Sequence, residues 1–178
     1  MQRFTPLLVD AAGPCRHVVG RRWFVDETYV KVAGVWRYVY RAVDEHGQVI
    51  DTLVSRRRDI AAARSFFTAT VDAHGQPDEV VTDRAAALAY VIAELFVERT
   101  RCTTRSGTRT TGSNATTGRL KARLRPMRGL KTDGTASVII RGHAFIENLR
   151  RGHYELGVEA RHEQLRIASA FDELAATI

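Results

Sequence analysis

Two aspartates in this chain stand where carboxylates could do chemistry together. Asp26 lies inside W-F-V-D-E-T-Y, flanked by Phe24, Val25, Thr28 and Tyr29, in an aromatic and β-branched run of the kind that forms strands and from which Asp is depleted. Asp83 ends the run V-V-T-D, just ahead of an Ala-rich stretch. Two such hard oxygen donors on neighbouring strands, joined by a third acid from a later helix, can hold a pair of Mg²⁺ ions about 3.5–4 Å apart and promote phosphoryl transfer. A plainer reading stands beside this one: an Asp at a strand end often caps the next turn or helix, which suits Asp83 equally well. Asp44, Asp51 and Asp59 fall at or near turns and are weaker candidates. His143, His153 and His162 have no ligand-like spacing and read as structural or surface residues. Arg56, Arg57 and Arg58 read as a solvated strand end.

The elements that must position these residues are legible from the pattern. From Trp23, the runs W-F-V-D-E-T-Y-V-K-V, V-W-R-Y-V-Y-R-A-V-D and Q-V-I-D-T-L-V-S are separated by A-G and E-H-G, which predicts a three-stranded antiparallel meander. Asp59 then caps a helix whose apolar face holds Ile60, Ala63, Phe66 and Phe67, and Gly75 ends it. After Pro77 the sequence predicts a short buried strand, then a helix from Arg84 to about Glu98. Later helices are expected across A-S-V-I-I-R-G-H-A-F-I-E-N-L-R-R, with Val138, Ile139, Phe145, Ile146 and Leu149 as its apolar stripe, and from about Glu163 to Ala176. This order is similar to the opening of a ribonuclease H-like α/β domain. In that architecture a carboxylate in the middle of the first strand lies beside one at the end of the fourth, the positions of Asp26 and Asp83.

Charge adds a partner. The chain has 178 residues and a net charge of +7. Residues 99–131 carry 10 Lys or Arg and no acid, whereas 1–98 carry 12 bases and 13 acids, and 132–178 carry 5 and 7. One segment therefore supplies the whole excess, which suits either a polyanion partner, through counterion release, or a solvated basic linker. Cys15 and Cys102 are too few for a disulfide framework. No apolar run reaches membrane-spanning length, and a cytoplasmic protein without a membrane partner is the expectation.

Four stretches, R-W-F-V-D-E-T-Y-V-K-V-A-G-V-W-R-Y-V-Y-R-A-V-D, V-V-T-D-R-A-A-A-L, G-R-L-K-A-R-L-R-P-M-R-G-L-K-T-D and G-H-A-F-I-E-N-L-R-R-G-H-Y-E-L-G, resemble a bacterial insertion-sequence transposase of the DDE superfamily, specifically the insertion-sequence-six family. The resemblance runs from about Gln2 to the end of the chain. It implies a retroviral-integrase-like catalytic core, two Mg²⁺ ions, DNA as partner, homo-oligomers, and cleavage and transfer of DNA strands at the ends of a mobile element. It places the first catalytic and metal-binding Asp on Asp26 and the second on Asp83. It also makes Arg119, Lys121, Arg123, Arg125, Arg128 and Lys131 DNA contacts. Residues 1–20 are then expected to be a linker following an absent helix-turn-helix region, 21–150 the catalytic core, and 151–178 a helical tail.

One departure touches the chemistry. The third catalytic Glu should sit just before G-R-L-K, but Thr108 to Thr117 read T-R-T-T-G-S-N-A-T-T, with Asn114 in the register of that Glu. A back-translation of this run, read one base earlier, can encode A-N-N-R-I-E-C-D-H, the motif expected there. The hypothesis is a base lost near Phe96 to Arg101 and one gained at Thr117 to Gly118, with 99–117 scrambled, without periodic structure, and disordered. Codons in the gene that cannot be re-framed into the motif would end that hypothesis. Glu147 and Asp133 are the acids left to substitute. The alternatives to an impaired transposase are a ribonuclease H-like nuclease with a replacement acid and a non-enzymatic DNA-binding or dimerising fragment.

Overall fold

A computed structural model describes residues 4–82, 86–96, 101–104, 130–159 and 163–177. Three antiparallel strands come first, β1 (Arg22–Val32), β2 (Val35–Asp44) and β3 (Val49–Ser55). Ala33 and Gly34 make the turn between β1 and β2, both at positive φ (48° and 81°), the geometry of a two-residue hairpin that matches strand twist. Helix α2 (Ile60–His74) follows, then β4 (Glu79–Thr82), α3 (Ala86–Leu95), β5 (Arg101–Thr104), α4 (Asp133–Arg150) and α5 (Glu163–Ala175). An N-terminal helix, α1 (Phe4–Ala12), precedes them all.

The strands form one mixed sheet in the order β3-β2-β1-β4-β5. β4 runs parallel to β1, with Val80 opposite Trp23 and Thr82 opposite Val25, and β5 runs parallel to β4. Alternation along β1 sends Trp23 and Val25 to one face, where they pack with Tyr40, Ala42 and Ile50 against Phe66 and Phe67 of α2 and Leu88, Val91 and Ile92 of α3. Val30 and Val32 point to the other face and meet Val39, Leu130, Ala136 and Ile140 under α4.

Helix α2 starts where the sequence predicts. Asp59 accepts the Ala62 N–H at 2.8 Å, and Gly75 ends the helix at φ 80°. Ile60 is exposed, and Thr70 takes its place on the buried face beside Ala63, Phe66 and Phe67. Asp59→Ala is expected to cost about 1 kcal/mol of stability by removing the cap, read as a shift in urea midpoint at unchanged slope.

Three details depart from the sequence pattern. Residues 4–12 are helical, and Ala12 is buried with Phe145, Leu149, Tyr154, Leu156, Ala170 and Leu174 in a separate core that joins α1, α4 and α5. These residues are packed structure, and α5 is docked onto the same core. Residues 101–104, expected to lack periodic structure, form edge strand β5, because pairing with β4 uses backbone groups that any sequence has. The rest of the expected scrambled window lies outside the described residues. In α4 the buried apolar positions are Ala136, Ile140, Phe145 and Leu149, while Val138, Ile139 and Ile146 are half-buried. No helix among the described residues is long and apolar enough to cross a membrane.

Candidate functional site

Asp26 sits at the middle of β1, the central strand of the sheet. Strand alternation turns it away from Trp23 and Val25, to the face that α4 covers lower down. Its neighbour across the hairpin is Arg41 of β2. The guanidinium of Arg41 closes a fork on the carboxylate, with Nε 3.1 Å from Oδ1 and the terminal nitrogen 2.5 Å from Oδ2. The Arg41 side chain is 8% exposed and that of Asp26 29%. Paired and planar, with the guanidinium nearly buried and the carboxylate partly exposed, this is a strong class of side-chain ion pair.

The residue after Asp26, Glu27, turns to the opposite face and accepts an ion pair from Arg58 Nε at 2.8 Å, with its side chain only 7% exposed. Among the described residues, its second oxygen and the hydroxyl of Tyr40, its cross-strand partner, both lack a hydrogen bond. Burial first, and the Glu27 charge second, push the Tyr40 hydroxyl up to about 12, so it stays protonated.

Most other candidates prove to be structural. Asp44 is buried and organises the β2–β3 turn, accepting the N–H groups of His46 (3.0 Å) and Gln48 (2.8 Å) on one oxygen and of Gly20 (3.0 Å) on the other. Asp51 accepts the Thr52 N–H at 2.7 Å. Glu147 is fully buried in α4 and accepts from Arg150 at 2.7 Å. His143 is buried and His153 half-buried. Arg56 and Arg58 are not merely solvated: Arg58 holds Glu27, and Arg56 shares Asp133 with Arg37, each at 2.7 Å.

Those two arginines hold the Asp133 carboxyl below its ordinary value, Arg37 contributing most through its hydrogen bond and Arg56 next. A depressed carboxylate adds stability that is present above about pH 4 and is lost as pH falls through the folded-state value. The difference in melting temperature between the native chain and Asp133→Asn should therefore be largest near neutral pH and shrink on acidification below pH 4. A difference that does not change with pH would contradict the pairing.

Asp83, Asn114, Arg119, Lys121, Arg123, Arg125, Arg128 and His162 lie outside the described residues. Lys131 is exposed and follows Leu130, which bridges to Val32 and accepts the Ala33 N–H at 2.8 Å. The end of the basic block is thus fastened to the end of β1. Sequence reasoning missed Arg41 and Glu27. The signal for Arg41 was present: residues equidistant from a two-residue turn pair, and Arg41 lies as far beyond Gly34 as Asp26 lies before Ala33.

Of the two expected ligands only Asp26 lies among the described residues. Among them no group of three His, Cys, Asp or Glu side chains converges, and both oxygens of Asp26 are already engaged by a guanidinium.

Comparison with known proteins gives a consistent picture. A family model described as a DDE domain matches residues 20–153. The transposase for insertion sequence-like element IS431mec of Staphylococcus aureus is 30% identical over 96 residues, 54% of this chain and 43% of that protein, and the transposase for IS257 in transposon Tn4003 aligns with the same figures. An uncharacterised Yersinia pseudotuberculosis protein, pYV0051, is 34% identical over 85 residues, 45% of this chain and 79% of its own length. The chain thus spans less than half the length of the transposases it matches. Among solved structures, the HTLV-2 integrase catalytic core domain in complex with magnesium superposes with a TM-score of 0.55 at 17% identity, over 75% of this chain and 90% of that one. A chain of the simian T-cell lymphotropic virus intasome, in complex with the PP2A regulatory subunit B56 gamma, gives 0.54 at 22%, over 70% and 49%. The fold is ribonuclease H-like, of the retroviral-integrase type.

Proposed function

Because the chain belongs to the DDE-domain family of insertion-sequence transposases, we propose that it is catalytic-core sequence of such an enzyme, acting on DNA, in a copy whose strand-transfer chemistry is impaired. One observation carries the site assignment. Asp26 occupies the middle of the central strand, and β4 lies parallel beside it in a register that sets Thr82 against Val25, so Asp26 and Asp83 each come next in sequence after a paired residue. That supports Asp26 and Asp83 as the first two carboxylates of the triad and, in the family, as ligands of two Mg²⁺ ions.

Impairment is proposed on two grounds. Asn114 stands in the register of the third acid and supplies no charge. Glu147 and Asp133, the acids left to replace it, are already committed to Arg150 and to the Arg37–Arg56 pair. With only two carboxylates, one of them held by Arg41, the site gives a divalent ion little to bind, and preorganised charge is the largest part of phosphoryl-transfer catalysis. The same observations favour the second reading, a DNA-binding or dimerising fragment without catalysis. A nuclease with a replacement acid has no observation in its favour.

DNA contact is assigned to Arg119, Lys121, Arg123, Arg125, Arg128 and Lys131, and homo-oligomers are expected by analogy with the family. A gel shift on duplex DNA at graded salt tests the DNA assignment. Binding should weaken steeply as salt rises, and neutralising Arg119, Lys121, Arg123 and Arg125 to Gln should flatten the log–log slope by roughly one unit per residue. No shift at low salt, or a shift indifferent to salt, would remove DNA as the partner.

A further inference from the structure

We propose that Arg41 is a resident counter-cation for Asp26, occupying by charge the place a divalent ion needs, so that any such ion must displace the guanidinium or bind against it. The proposal rests on Asp26 as the first carboxylate of the site. It is carried by the Asp26–Arg41 geometry.

A guanidinium has its donors in a rigid fork that matches both oxygens of a carboxylate, and Arg41 uses that match on Asp26, at 3.1 and 2.5 Å. The hairpin register makes the two residues direct cross-strand neighbours, so the pair is built into the backbone and does not depend on a flexible loop. Mg²⁺ and Mn²⁺ bind through carboxylate oxygens at close to 2 Å. An ion at Asp26 would therefore sit within a few ångströms of a second cation that is 8% exposed, where solvent and salt screen the repulsion poorly. Turning Arg41 away is also unfavourable, because a nearly buried guanidinium would give up its two contacts with Asp26. Asp26 is thus neutralised without metal, and the divalent affinity of the site is set by competition with Arg41.

Arg41 acts here as a positioning residue, and a purely structural ion pair would predict something different. In that case removing Arg41 changes stability but leaves metal affinity alone. The test is Mn²⁺ binding by the full chain, followed by calorimetry or by electron paramagnetic resonance of free Mn²⁺. Arg41→Gln should bind Mn²⁺ about tenfold or more tightly than the unsubstituted chain, as expected when a neighbouring positive charge is removed from a poorly screened site. The gain should vanish in Arg41→Gln/Asp26→Asn. Equal affinity in Arg41→Gln and the unsubstituted chain would overturn the proposal, as would a gain that survives Asp26→Asn. Arg41→Met keeps the apolar stem and repeats the comparison should the Gln variant fail to fold. Strand transfer plays no part in these readouts, so a chain inert in transfer still gives a decisive answer.

Discussion

Replacing Asp26 with Ala should destabilise the folded chain by about 2–4 kcal/mol, near the range for breaking a buried ion pair and lowered because Asp26 is partly exposed. The direction is the informative part. In a site of clustered carboxylates the acids repel one another, and removing one commonly relieves strain at the expense of activity. Here the described partner of Asp26 is a cation, Arg41, which is 8% exposed and would lose the Asp26 carboxylate. The second change, Arg41→Met on the Asp26→Ala background, should recover most of the loss, because two apolar groups replace a pair whose desolvation offsets much of its attraction. Urea denaturation of the two single variants and the double variant gives the coupling energy directly. A neutral or stabilising Asp26→Ala would mean that the pair contributes nothing to the fold.

The largest loss is expected three residues earlier in the strand, at Trp23. Its side chain is 1% exposed, in the core shared by the sheet, α2 and α3, and its indole N–H donates to the Gly20 carbonyl at 2.9 Å. Trp23→Ala empties the volume of a whole indole at the β1–β4 seam, beside Val80. Such truncations cost about 3–5 kcal/mol, a large part of what holds a domain of this size together. Trp23→Phe keeps most of the packing and should lose about 1 kcal/mol, mainly the hydrogen bond. Denaturation midpoints that fall in the order native, Phe, Ala, with a wide gap before Ala, would bear this out. An Ala variant close to native stability would show that this seam is not where the core is tied.

Much of this fold could be read from residue order, since the deciding signals are local. Ala33-Gly34 sets a hairpin, Asp59 and Gly75 bound α2, and alternation assigns Trp23 and Val25 to the core. The misses share one cause, stabilisation by distant parts of the chain. F-T-P-L-L-V-D-A-A carries a Pro and is too short to be a stable helix alone, and it is ordered by docking on Phe145, Leu149 and Tyr154, more than a hundred residues away. R-C-T-T has no apolar pattern and becomes strand β5 only because β4 offers an edge. At the site, Asp26 was legible as an uncommon Asp in a strand. Its partner was missed for want of register bookkeeping across the hairpin, because a lone Arg in V-Y-R-A-V-D looks like an outward-facing charge until its opposite residue is counted.

On the proposed reading, a DDE core with Asp26 intact and Asn114 in the register of the third acid does not move DNA strands. Purified chain incubated with Mg²⁺ and DNA bearing the terminal repeats of insertion-sequence elements should give no strand-transfer product, and Asp26→Ala should be indistinguishable from it. Robust Mg²⁺-dependent transfer by the unsubstituted chain, abolished by Asp26→Ala, would contradict the account.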